Sequence, residues 1–324
     1  SATDAAYTLD RWKTYASQTG KYTVQQNAGS VTPPAGYINY LGATSSSAYT
    51  VGASERFAIV QQIEGLNVAD LAWGTANAAA VTLSFKVYSS LTGTFGGVIT
   101  NSAYNRSYPF SYSVPVANTW TTISITIAGD TTGTWLTSNG IGIQVWFSLG
   151  AGATVSGTAG SWAAGNLTSA TGAVSVVGTN GATFYITGVQ LEVGTQATTF
   201  TTAGGSYGAE LQLCQRYFQR TQYYATSGGY PVFTSNIGLS IGANNWFWHS
   251  ISFPTTMRTS ATVTTSDFNG NTGKISIWTS SGGATASNID PYTLTSSTDG
   301  FSYSDYSNAK FGIGMNGYIA SAEL

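Results

Sequence analysis

The sequence predicts an all-β protein of two modules joined by a short helical connector, and three observations carry that prediction. Apolar and polar residues alternate with a period of two along most of the 324 residues, the signature of half-buried strands. Asn-Gly, Asp-Gly and Gly-rich turns punctuate these runs every 8–12 residues or so, as in sandwiches and barrels. One stretch alone, near two-thirds of the length, has helical spacing.

The first β-region runs to about residue 202. In "AAAVTLSFKVYSS" (78–90), Val81, Leu83, Phe85 and Val87 alternate with Thr82, Ser84, Lys86 and Tyr88. "TWTTISITIAG" (119–129) sets Ile123, Ile125 and Ile127 on one face. "GIGIQVWFSLG" (140–150) is more uniformly apolar, as a central strand is. "GATFYITGVQLEVG" (181–194) is entered through Asn180-Gly181, and Asn139-Gly140 and Asp130-Thr131-Thr132-Gly133 mark further turns. Residues 203–222 form the connector, in which Leu211, Cys214 and Phe218 share one helical stripe, with Leu213 and Tyr217 on its flank. So short a helix needs a surface to pack on, either the adjoining sandwich or copies of itself around a symmetry axis. Strand patterns resume over 223–324 in "NWFWHSISF", "TSATVTTSDF", "GKISIWTSS" and "AKFGIGMNGYIASAEL". A parallel α/β fold would need helices between strands, and the pattern offers none.

Composition narrows the function classes. Charged residues are 7% of the chain, hydrophobic residues 42%, and the formal net charge is −2. An average soluble domain has roughly 25% charged residues, so hydroxyl and amide groups must supply most of the polar surface. That composition suits extracellular or virion β-proteins. The eleven basic residues are scattered, so no patch exists to displace counterions from nucleic acid or to hold an anionic membrane. No apolar run approaches the ~18 residues of a bilayer span. "SATDAAYTLDRW" lacks the basic and apolar parts of a secretory leader, so synthesis in a host cytoplasm and exit without a signal are expected. The single cysteine, Cys214, excludes an internal disulfide and a Cys-based zinc site, and reads as a packing residue.

One block is distinctive: "ATFYITGVQLEVGTQATTF" followed by "YGAELQLCQRYFQR". It resembles the junction in tail-fibre and related virion proteins of tailed bacteriophages. "YTLDRWKTY", "QQIEGLNVADLAWGTANAAAVTLSFKVYSS", "GDTTGTW", "FPTTMRTSATVT" and "YIASAEL" extend the resemblance over nearly the whole chain. It implies a non-enzymatic virion component with an N-terminal jelly roll similar to carbohydrate-binding modules (1–202), the connector (203–222) and a smaller C-terminal β-sandwich (223–324). It also implies a homotrimer. Carbohydrate-binding jelly rolls often hold a structural calcium through an Asp in the closing strand. Thr187 and Gly188 stand at that place here, so no cofactor or metal is expected.

Nine tryptophans and twenty tyrosines are the chemistry this chain has in quantity. Aromatic planes stack on the C–H faces of sugar rings, yet they also fill sandwich cores. Trp120, Trp146 and Trp248 sit amid apolar alternation and read as core. Loop aromatics and their polar neighbours are the carbohydrate-binding candidates: Tyr104, Asn105, Arg106 and Tyr108; Trp162; Tyr223, Tyr224 and Tyr230; Asp290 and Tyr292. Asp267, Asn269 and Asn271 begin like a calcium loop, but Thr272 and Trp278 occupy its glycine and glutamate positions, which leaves a hairpin turn. "GIGMNG" (312–317) lies in a strand-like segment without a following helix, and so fails the context of a dinucleotide site. His249 is the sole histidine and has no triad partners. The expected function is host-surface carbohydrate binding during adsorption, with other virion proteins as partners. A decorating virion protein without a ligand is the alternative. A depolymerase is a third reading, resting on Glu64 and Asp70, for which the sequence shows no cleft.

Overall fold

The strands of the N-terminal unit alternate as the sequence dictates, and their apolar sides face one another across two sheets. A computed structural model describes all residues except 1–3, 10, 222–232, 235–245, 268, 270, 279–284, 307–311 and 316. The chain divides into two compact units, residues 1–201 and 202–323.

In the first unit, β1 (Trp12–Ala16), β2 (Tyr22–Gln26), β3 (Leu41–Ser45) and β4 (Arg56–Glu64) are followed by β5 (Val81–Ser89) and β6 (Gly93–Thr100). Then come β7 (Arg106–Val114), β8 (Thr121–Ile127), β9 (Ile141–Ala151) and three two-residue strands, β10 (Ser156–Gly157), β11 (Ala163–Ala164) and β12 (Ser169–Ala170). β13 (Thr183–Val193) closes the unit. One sheet has the order β1-β4-β9-β6-β7-β11 and the other β2-β3-β13-β5-β8, a jelly-roll sandwich. Phe57, Ile59, Leu83, Phe85, Phe95, Phe110, Phe147 and Phe184 are fully or nearly fully buried between them. The expected central strand is β9, which pairs with β4 on one side and β6 on the other.

The two outer faces differ from the expected core assignment. Trp146 is buried, but on the outer face of the six-stranded sheet, where Tyr15, Tyr104 and Leu167 pack over it with Ala58, Val60 and Val98. Trp120 is only half-buried and lies on the outer face of the five-stranded sheet, against Tyr40 and Tyr88. The side chain of Trp248 falls outside the described residues.

The second unit begins with α1 (Tyr207–Gln215) and β14 (Phe218–Arg220). After β15 (Phe233–Thr234) it continues through β16 (Trp246–Ser252), β17 (Thr262–Ser266), β18 (Ile275–Trp278) and β19 (Thr285–Ile289). β20 (Thr293–Ser296), β21 (Gly300–Tyr306), β22 (Gly312–Met315) and β23 (Gly317–Ser321) complete it. Three small sheets, β14-β23-β17, β15-β22-β18-β19 and β16-β21-β20, share a separate core around Phe253, Met257, Ile275, Phe301, Tyr303 and Tyr318.

The connector departs from the sequence reading in one respect. The helix stops at Gln215, so Phe218 is not on a stripe with Leu211 and Cys214 but in β14, paired with Ser321. No residue of α1 is buried; Leu211 and Leu213 are each more than 40% exposed. Tyr217, just past the helix, is the buried aromatic of this stretch. Ser206 caps the helix by accepting the Ala209 N–H.

The calcium-like run is a turn. The buried Asp267 carboxylate accepts the backbone N–H groups of Asn269, Asn271 and Asn288 and the Asn271 side-chain amide. "GIGMNG" begins as strand β22, and His249 lies in β16 against Tyr303, 5.1 Å between ring centroids. Burial lowers the His249 pKa.

Candidate functional site

Five of the expected residues meet at one end of the N-terminal sandwich. The turn from Asn101 to Arg106 links β6 to β7 and is built around Asn101, whose Oδ1 accepts the Asn105 and Arg106 N–H groups at 3.1 and 3.3 Å. The Asn101 amide nitrogen donates to Asn105 Oδ1 and to the Thr134 carbonyl, tying this turn to the next loop. Tyr104 pays for its place with a left-handed backbone, φ 54°, which costs a bulky L-residue roughly 1–2 kcal/mol. In return its hydroxyl reaches Gln144 Oε1 at 3.3 Å and its ring meets Trp146 edge-on at 6.2 Å. Backbone strain of this kind clusters at ligand sites.

Arg106 turns the other way. Its guanidinium grips Asp130 with two hydrogen bonds, Nε to Oδ2 at 2.8 Å and Nη2 to Oδ1 at 2.6 Å. The pair is bidentate, the strongest geometry for these groups. Gly133, at φ 80°, makes it fit, because a Cβ there would stand 2.6 Å from the Arg106 Cγ. Asp130 also accepts from the Thr132 N–H and hydroxyl and from the Trp135 indole. Burial works to raise the Asp130 pKa, but the Arg106 and Thr132 bonds outweigh it and hold the carboxyl below its ordinary value. The same ion pair raises the Arg106 pKa.

Around this neutralised pair stand four aromatic rings. Trp73, Trp135 and Trp162 meet one another edge to face at centroid distances of 4.7, 5.2 and 5.4 Å. Trp162 precedes β11, whose pairing with the start of β7 sets the indole beside Tyr108 (5.2 Å) and under the Arg106 guanidinium (5.9 Å). Its Nε1 donates to the Ala128 carbonyl at 2.7 Å, which fixes the ring. Trp73 and Tyr108 are buried, whereas Trp135, Trp162, Arg106 and Tyr104 are half-buried and Asn105 is exposed. Tyr108 therefore supports the site from β7 and is not a loop residue offered to a ligand.

Next to this cluster, the outer face of the six-stranded sheet is polar yet closed. Gln62 donates to Gln144 at 3.1 Å, and both are buried, as is Glu64. The segment 156–171 lies against β6 and β7: Ser169 packs on Gly96, and Leu167 on the cluster of Ala58, Val60, Val98 and Trp146. Glu64 is thus a floor residue and Asp70 an exposed one in a short 3-10 turn.

The remaining candidates lie elsewhere. Asp290 and Tyr292 belong to the second unit, where Asp290 pairs with Lys274 at 2.7 Å and Tyr292 is 65% exposed. Tyr223, Tyr224 and Tyr230 fall outside the described residues. Sequence reasoning missed Trp73, Trp135 and Asp130. The signal was present in "GDTTGTW", which carries an acid and an indole in one tight turn.

No protein-family model matches the chain, and neither does any curated protein. Among solved structures, the enzymatically active domain of tailspike protein 4 from bacteriophage CBA120 is 12% identical over 57% of this chain and 20% of its own, at a TM-score of 0.33. A family 11 carbohydrate-binding module from Clostridium thermocellum, in complex with a β-1,3-1,4-mixed-linked tetrasaccharide, is 12% identical at a TM-score of 0.29, covering 59% of this chain and 92% of that one. The CBM22-1 xylan-binding domain from Paenibacillus barcinonensis is 8% identical at 0.29, covering 60% and 92%. Scores this low leave function to the side chains themselves.

Proposed function

We propose that this chain is a non-enzymatic virion appendage protein of a tailed bacteriophage that binds neutral host-surface carbohydrate at the loop end of its N-terminal sandwich. The observation that carries the reading is the pair of half-buried indoles, Trp135 and Trp162, flanking an arginine whose charge is already cancelled by Asp130. Aromatic planes take the apolar C–H face of a pyranose. The exposed amide of Asn105, whose backbone carbonyl accepts the Gly165 N–H just past Trp162, is able to bond sugar hydroxyls. A site with polar edges and no net charge suits an uncharged glycan.

The virion assignment and the homotrimer rest on the resemblance of the 182–220 block to tail-fibre junctions. Each sugar contact is expected to be weak. Several copies on one particle raise avidity by roughly 10²–10⁴ where geometry lets them engage together. The test is a glycan array carrying bacterial surface glycans, probed with the wild-type chain and with Trp162→Ala. Binding to neutral glycans that the substitution abolishes supports the reading. Silence of the oligomeric wild-type chain, or equal binding by both, refutes it.

A further inference from the structure

The opposite side of the N-terminal unit carries a second aromatic field that the loop-end site does not use. On the outer face of the five-stranded sheet, Tyr88 on β5 lies opposite Tyr185 on β13, their rings stacked 5.4 Å apart and 5° from parallel. Tyr40 stacks on Tyr185 at 5.1 Å, and Trp120 closes the group, 5.4 Å from Tyr40 and 5.5 Å from Tyr88. Tyr40 and Tyr185 are buried and form a floor; Tyr88 and Trp120 are half-buried and reach the surface. The Trp120 indole is held by a 2.9 Å bond from its Nε1 to the Thr32 carbonyl.

One row along the sheet, Lys86 pairs in register with Thr122 and Thr187. Its ammonium donates to the Thr122 hydroxyl at 2.8 Å and sits 6.0 Å from the centre of the Tyr37 ring, which in turn meets Phe200 at 5.5 Å. Among the described residues no carboxylate lies within ion-pair distance of it. Beyond that row the face continues in hydroxyls and an amide, Ser84, Ser124 and Gln190. Glu192 lies on this face two rows on, and already accepts from Thr198 and Gln190.

The strand is bent to make this surface. β13 shifts register between Thr187 and Gln190, and Gly188 within the bulge has φ 60°. A Cβ at Gly188 would stand 2.6 Å from the Tyr37 ring, so the glycine is what lets Tyr37 lie against the sheet beside Lys86. Bulges are used to re-aim side chains next to sites.

We infer that this face is a second saccharide site, independent of the first and selective for acidic glycans: a uronate carboxylate on Lys86, with adjoining pyranose rings on Tyr37, Tyr88 and Trp120. The chemistry differs from the loop end in one decisive way. There the cation is cancelled by Asp130; here, among the described residues, its company is a hydroxyl and a π-face.

The experiment is calorimetric titration of the whole chain with a galacturonate oligosaccharide and with its neutral galactose counterpart. The acidic probe is expected to bind wild type, and Lys86→Gln to weaken it by roughly three- to tenfold, the yield of one charge-assisted bond. Trp120→Ala is expected to weaken it about tenfold through lost stacking. Both variants should leave binding to neutral glycans at the loop end unchanged, and Trp162→Ala should leave the acidic probe bound. Lys86 is a surface residue whose replacement keeps the fold, so it decides the matter even where Trp120→Ala unfolds. Equal affinity of wild type and Lys86→Gln for the acidic probe, or no binding of it at all, overturns the inference. Loss of both ligands in Trp162→Ala alone would show a single site and overturn it too.

Discussion

Arg106 and Lys86 are both basic side chains set among aromatic rings in the same unit, and they have opposite fates. Arg106 is locked bidentately to a buried carboxylate and lies against Trp162. Among the described residues, Lys86 meets a threonine hydroxyl and the face of Tyr37. The difference teaches that in a chain with so few charges, pairing decides what a surface can recognise. One region keeps the hydrogen-bonding edge of a cation and gives up its field. The other keeps both.

The largest expected effect comes from breaking the closed pair. Asp130→Asn leaves the guanidinium half-buried without its anion and should destabilise the N-terminal unit by about 2–3 kcal/mol, read by denaturant unfolding. Lys86→Gln should change stability by less than about 0.5 kcal/mol, because the hydroxyl it bonds, that of Thr122, is exposed. Comparable losses in the two variants would erase the contrast.

Acid sharpens it further. The Asp130 carboxyl is held below its ordinary pKa in the folded state, so the unfolded chain takes up that proton first as pH falls. The stability it contributes is complete above the unfolded value of about 3.9 and drains away as pH drops through the folded value. Asp130→Asn should therefore flatten the acid limb of the N-terminal unit's stability curve. Asp267 has the same sign, its pKa being lowered against the pull of burial by the N–H groups it accepts. Asp267→Ala should cost the second unit about 1–3 kcal/mol through orphaned donors, with neutral-glycan binding intact.

Salt gives the smallest and most selective effect. Raising ionic strength from 0.01 to 0.15 M shortens the screening length from about 30 to about 8 Å. Acidic oligosaccharide affinity should fall with it, while binding of neutral glycans at Trp135 and Trp162 holds. Equal salt dependence at both would mean that Arg106 is not neutralised in the bound state.

Much of this was legible in the residues. Ile123 and Ile127 face the core as their alternation requires, with Ile125 half-buried between them, and β9 is central and buried as its apolar run implies. Local periodicity records which side of a strand is apolar. It does not record what crosses the other side. Trp146 and Trp120 look alike in sequence, yet Tyr15 and Leu167 bury one while the other half-faces solvent. Asp130 reads locally as a turn residue, and only the approach of Arg106 from 24 positions away makes it half of an ion pair. Phe218 fits a helical stripe by spacing, but its pairing with Ser321, at the far end of the unit, draws it into a strand. Each miss is a long-range contact overriding a local pattern.

Neutral sugar recognition at the loop end is tested most directly by following the indole N–H resonances of the wild-type chain during titration with a neutral oligosaccharide chosen from array hits. The expected result is saturable shifts confined to Trp135 and Trp162, absent from Trp162→Ala and unchanged in Trp120→Ala. Shifts at Trp120 with Trp135 and Trp162 silent would place neutral-glycan binding on the wrong face and contradict the assignment.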